Sequence, residues 1–105
     1  MNLPDMGGLF QQAQRMQKEL RDVQDDLKKR IVVGESAGGM VKVYTTGQQD
    51  VKKVEIEPAA VDPDDLGMLE DLLLVAINAS LEKSKQLARD ETQRVTGGID
   101  LPGLF

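Results

Sequence analysis

Residues 69–79 read LEDLLLVAINA, and eight of the eleven are apolar once Ala and Val are counted with Leu and Ile. A helix lying on one surface shows an apolar stripe, and this band is too wide for that. The segment is therefore expected to be covered on more than one side. The chain beyond it keeps helical propensity to about Val95 while Glu82, Lys83, Lys85, Arg89, Asp90, Glu91 and Arg94 crowd in. A helix dry at one end and wet at the other is expected to leave the body of the protein.

Its limits are readable as well. Asp62-Pro63-Asp64-Asp65 reads as a helix start, with Asp62 as N-cap, Pro63 at the first helical position and acids where the helix dipole favours them. Gly97-Gly98 reads as the stop. The predicted helix, about 63–96, spans roughly 50 Å at 1.5 Å per residue. A compact domain of about 100 residues has a radius of gyration near 13 Å, so this helix outreaches the globule it belongs to. Asn78, inside the apolar stretch, is expected to be a satisfied core amide.

Upstream, after a loose start with Pro4 and Gly7-Gly8, apolar residues fall at Leu9, Ala13, Met16, Leu20, Val23 and Leu27. The steps alternate between four and three, which predicts a helix over about 7–29 with one narrow dry edge. The second helix is the obvious partner for that edge. Residues 31–37 turn β-branched, and in 40–46 Val41 and Val43 alternate with Lys42 and Tyr44. The same period of two returns in 51–57, where Val54 and Ile56 alternate with Lys53 and Glu55. Three short antiparallel strands joined as a meander follow, and their apolar face needs a cover. The fold class is α+β in a single domain over 1–105: helix, three-stranded meander, long C-terminal helix, then an apolar tail at 97–105.

Composition narrows the function. With 105 residues the chain is small and gains from burying surface against a second copy. It has no Cys and no His, which removes disulfides, thiolate metal sites and the commonest general base and metal ligand. No catalytic residue, cofactor site, metal site or small-molecule substrate is expected. No apolar run is long enough to span a bilayer, and the stretch MNLPDMGGLF lacks the features of a secretion signal, so a cytoplasmic protein is expected. The net charge of −5 arises around the start of the second helix, where residues 58–81 hold five acids and no base. The other helical parts are close to neutral, and local fields govern phosphate binding more than the global sum.

Taken together, QQAQRMQKEL at 11–20, GESAGGMVKV at 34–43, VKKVEIEP at 51–58, LEDLLLVAINA at 69–79 and GGIDLPGL at 97–104 resemble the YbaB/EbfC family of bacterial nucleoid-associated proteins. The resemblance covers nearly the whole chain. It implies a homodimer whose sheets and helix bases form the body, with helical arms projecting like tweezers onto double-stranded DNA in the nucleoid.

Single motifs carry chemistry of their own. The spacing in 34–39, GESAGG, resembles a phosphate loop, but Met40 and Val41 stand where Lys and Ser/Thr are required, and a strand follows instead of a helix. A hairpin turn with positive backbone angles is the expectation. Arg15, Lys18 and Arg21 lie away from the first helix's dry edge, each with an acid four residues on: Glu19, Asp22 and Asp25. Lys85 and Arg89 sit one turn apart, and Arg89 has no acid three or four residues away, which leaves its charge open to an outside anion. These five cations are the candidate DNA contacts. Phe10, Tyr44 and Phe105 are too few for a single-strand stacking platform. The competing reading is a dimer whose arms or tail bind a partner protein.

Overall fold

The computed structural model describes residues 4–97, which form α1 (Pro4–Leu27), β1 (Ile31–Ser36), β2 (Val41–Thr46), β3 (Val51–Ile56) and α2 (Leu66–Thr96). The predicted order holds, with boundaries shifted by one to three residues. The tail from Gly98 onward lies outside the described residues. The chain is a rod of 75 × 20 × 18 Å with a radius of gyration of 19.8 Å, well above that of a compact domain of its length.

The helix start differs from expectation in detail. Asp65, not Asp62, is the N-cap, and its Oδ1 accepts the Met68 amide at 3.1 Å. Asp62 instead makes a local turn, its Oδ1 accepting the Asp64 amide at 2.9 Å. The motif offered two acids with the same capping chemistry, and the second took the role. At the other end Gly97 (φ 66) closes α2 as predicted, its amide donating to the Gln93 carbonyl.

The sheet is the expected antiparallel meander in the order β1-β2-β3. Val41, Val43 and Thr45 point inward and are buried. Lys42 and Tyr44 face the other way. Between the first two strands, Ala37, Gly38 and Gly39 all have positive φ, which makes GESAGG a tight turn and not a phosphate cradle.

α2 crosses the inner face over β1 and β2. What lets it do so is a row of small side chains: Ala76, Ser80, Ser84, Ala88, Thr92 and Thr96, four residues apart, are all buried. Residues at this spacing share one helix face. The closest approach is at Gly34, where an added Cβ would stand 2.2 Å from the Ser80 amide nitrogen and 2.3 Å from the Ala76 carbonyl oxygen. Two of the row's hydroxyls are bonded into the sheet, those of Ser80 and Ser84. Thr45 and Ser80 share a buried hydrogen bond of 2.8 Å, and Ser84 Oγ donates to the Thr46 carbonyl at 2.6 Å. Ser36 Oγ adds a bond to the Leu72 carbonyl at 2.7 Å. Val41, Val43, Ala60 and Ala76 form the core beneath, flanked by Met40, Leu72, Leu73 and Ile77.

Within one chain the 69–79 band is covered on one side only: Leu74 and Val75 are 58% and 55% exposed and Asn78 is exposed, so the wider cover and the core amide expected from the sequence are not supplied by the chain alone. The dry edge of α1 is likewise covered over only half its length. Val23 and Leu27 are buried against Ala88, with Leu87 and Val95 beside them, whereas Leu9 is 64% exposed and Ala13 is exposed. The helices run antiparallel, and α2 ends with Val95 beside Met16 and Ala13, so the first turns of α1 extend past it.

Gly34→Ala should lower unfolding free energy by roughly 2–4 kcal/mol, since backbone atoms, not flexible side-chain tips, occupy the space. Gly7→Ala, in α1 with nothing within 4 Å of the new Cβ, should raise it by about 0.5–1 kcal/mol. Urea unfolding of both variants checks the pair.

Candidate nucleic-acid interface

The long α1/α2 pair meets the sheet at the β2–β3 turn, and hydrogen bonds fix the junction. The Gly47 amide donates to the carbonyls of Leu27 (2.9 Å), the last residue of α1, and Arg30 (3.0 Å), just beyond it. An added Cβ on Gly47 would stand 2.7 Å from Leu27 Cδ2. Gln48 Nε2 donates to the Gln24 carbonyl at 3.1 Å and to its side-chain oxygen at 3.0 Å. Gln49 (φ 63) donates its amide to Ser84 Oγ at 3.2 Å. One short turn thereby holds α1 and α2 at a set angle to the sheet.

Lys85 and Arg89 lie beside this junction. With Gln49 and Ala88 they line an open cleft of about 330 Å³. Each follows a buried member of the small-residue row, so packing of Ser84 and Ala88 directs both cations to the flank. Arg89 is not uncompensated: its Nη2 donates to Gln86 at 3.0 Å and to Glu82 at 3.4 Å. Neighbours three and four residues away offer it no acid, but an arginine side chain reaches one two turns back. Both contacts are exposed, so they hold Arg89 weakly. Among the described residues Lys85 makes no hydrogen bond or ion pair.

Arg15, Lys18 and Arg21 are exposed on α1. Of the three pairings the spacing allowed, only Lys18–Asp22 forms, at 3.7 Å with both side chains largely in solvent. Arg15 and Arg21 have no ion pair among the described residues. Arg15 borders the cleft between α1 and the end of α2. The two cation groups thus occupy different stretches of the arm: one on the α1 extension, the other opposite the sheet turn.

The strongest ionic cluster was not visible in the sequence. Glu91 on α2 accepts from Arg30 Nη1 at 2.9 Å, across 61 residues of chain, and from Arg94 one turn on. Arg30 also lies 3.8 Å from Asp26. The Glu91 side chain is only 19% exposed, and the Arg30 guanidinium, seconded by Arg94, holds its carboxyl below the ordinary 4.5. The cluster ties the end of α1 and the start of β1 to the middle of the arm. On the outer face of the sheet, Lys53 and Glu55 pair at 2.8 Å, with the ammonium 5.5 Å from the centre of the Tyr44 ring. That face is balanced in charge. Among the described residues no group of His, Cys, Asp or Glu side chains could hold a metal ion, and no helix is long and apolar enough to cross a membrane.

The model of the YbaB/EbfC DNA-binding family matches residues 1–99. A nucleoid-associated protein of Acetivibrio thermocellus is 43% identical, over 97% of this chain and 95% of its own length. One from Chloroflexus aurantiacus is 47% identical, over 92% and 95% respectively. The crystal structure of an uncharacterized protein from Helicobacter pylori superposes with a TM-score of 0.73 over 92% of this chain and 99% of that one, at 23% identity, a likeness of fold.

Because the folded-state carboxyl of Glu91 is depressed, its contribution is fully present above the unfolded value near 4.5 and is lost as pH falls through the lower folded one. Glu91→Gln should therefore cost about 0.5–1 kcal/mol at neutral pH. The deficit should shrink below about pH 4. Urea unfolding of variant and parent at both pH values measures it.

Proposed function

Because the chain belongs to the YbaB/EbfC DNA-binding family, we propose that it is a non-enzymatic nucleoid protein that grips double-stranded DNA as a homodimer. Phosphate contacts from the helical arms supply the affinity, with little base readout. The observation that carries this reading is the arm itself: a rod far longer than its sheet-covered base, bearing Arg15, Arg21 and Lys85 without an ion-pair partner among the described residues. Lys18 and Arg89, held only by exposed contacts, complete the set. Phosphates would replace those contacts at small cost.

Exposed apolar surface on the body supports pairing of two copies. Val51, Val54 and Ile56 lie on the inner side of β3 beyond the cover of α2, and Leu66, Met68, Leu74 and Val75 lie along α2, all more than a third exposed. So many large apolar side chains left in water on one small body favour a covering partner. A second copy placed there would leave the arms outside the joint. The acid-rich start of α2 belongs to the same body, so the negative charge stays away from the proposed DNA-facing flanks.

In a duplex gel shift, binding at roughly micromolar protein should weaken steeply as salt is raised. Lys85→Ala with Arg89→Ala should reduce affinity alike for unrelated sequences, and the slope of log affinity against log salt should flatten by about one for each phosphate no longer neutralised. Leu74→Asp should shift sizing chromatography toward the monomer. No complex at low salt would sink the DNA reading, and a salt-insensitive complex with one protein would replace it with a partner-binding role for the arms.

A further inference from the structure

The β2–β3 turn carries a strained residue whose side chain the fold does not use. The turn is a three-residue loop, Gly47-Gln48-Gln49, closed by the Thr46 amide on the Asp50 carbonyl at 2.8 Å and the Gln49 backbone amide on the Thr46 carbonyl at 3.0 Å. Hairpins of this pattern put their third loop residue in the left-handed region, where glycine is the usual occupant. Here that residue is Gln49, with φ 63. Glycine stands at the first place instead, kept small by the Leu27 side chain. A Cβ at the Gln49 angle is less stable than glycine, and nothing inside the protein offsets the difference. Gln49 is exposed, and among the described residues its side chain makes no hydrogen bond. Strain of this kind, held in place by the surrounding structure, collects at functional positions.

We propose that Gln49 is a DNA contact, its side-chain amide donating to a phosphate or sugar oxygen beside the phosphates taken by Lys85 and Arg89; this rests on the DNA-binding reading and extends it from the arm to the sheet turn. Gln49 lines the same open cleft as the two cations, which share one face of α2. Its root is fixed there, because its backbone amide also donates to Ser84 Oγ at 3.2 Å, one residue before Lys85. A side chain held at its base loses less freedom on binding than one on a loose loop. The two turn glutamines divide the work. Gln48 is half-buried and its Nε2 is taken by the Gln24 carbonyl and side-chain oxygens, whereas the Gln49 amide, with two donors and an acceptor, is left facing outward. Neutral side chains of this type bond the DNA backbone and fix its register, and they displace no counterion.

Gln49→Gly in the full chain removes the side chain and relieves the backbone, so stability and binding should move in opposite directions. The urea midpoint should rise, while affinity for duplex DNA falls about three- to tenfold, alike for unrelated sequences. Because no charge is lost, the slope of log affinity against log salt should stay that of the parent, unlike the slope of the Lys85→Ala, Arg89→Ala double variant. Gln49→Lys, which keeps the Cβ, should bind more tightly and steepen that slope by about one. Fluorescence anisotropy titrations at several salt concentrations, with urea unfolding of each variant, read all of these. Parent-like affinity of Gln49→Gly, or a Gln49→Lys slope equal to the parent's, would overturn the contact and leave the DNA reading standing. A lowered urea midpoint in Gln49→Gly would overturn it as well, by showing that the side chain serves the fold. Absence of binding by the parent itself would take both readings down.

Discussion

The close approach of α2 to β1 is the constraint on which the remaining structure depends. A helix carrying leucines on every side could not bring its backbone against a strand, whereas Ala76 and Ser80 opposite Gly34 leave room for almost nothing but the two main chains. That contact sets the height of α2 above the sheet, and the Thr45–Ser80 and Ser84–Thr46 hydrogen bonds set its rotation. Each bond is worth about 1 kcal/mol net. Their larger effect is selective, since another rotation would take the Ser80 and Ser84 hydroxyls away from these partners.

With the rotation of α2 defined, the rest of the arm follows. Ala88, two turns beyond Ser80 on the same row, meets Val23 and Leu27, so α1 packs against α2 as a continuation of the sheet contact. Gly47 and Gln48 then join the end of α1 to the sheet turn, and Arg30 reaches back to Glu91. Packing, main-chain bonding and charge meet at this corner. Away from it, cover falls off in both directions: toward the body, Leu74 and Val75 are bare, and toward the tip, Leu9 is bare.

Much of this is legible in the sequence because it rests on periodicity. The heptad edge of α1, the alternation of Val41 and Val43, the glycine turn and the length of α2 all leave local marks. The cover on α2 is harder to read. The leucines of 69–79 draw the eye away from the small residues that make the contact, since Ser80, Ser84, Thr92 and Thr96 count as polar on a hydropathy scale while serving here as the dry side of a helix. The start of α2 is displaced because Asp62 and Asp65 compete for one capping role. The Arg30–Glu91 pair joins residues far apart in sequence, and no local spacing announces it. Of the candidate contacts, Lys18 has its expected pair, Arg15 and Arg21 do not form theirs, and Arg89 finds a partner two turns back; such outcomes turn on side-chain reach, which spacing rules treat coarsely.

One consequence of the small-residue row concerns how such a protein can change over generations. Ser84 and Ala88 admit almost no enlargement, yet Lys85 and Arg89, their immediate neighbours, touch nothing in the interior. Drift at the flank therefore leaves the spine undisturbed. Exchange of these outward-facing letters can alter the charge of the limb without moving the joint that aims it.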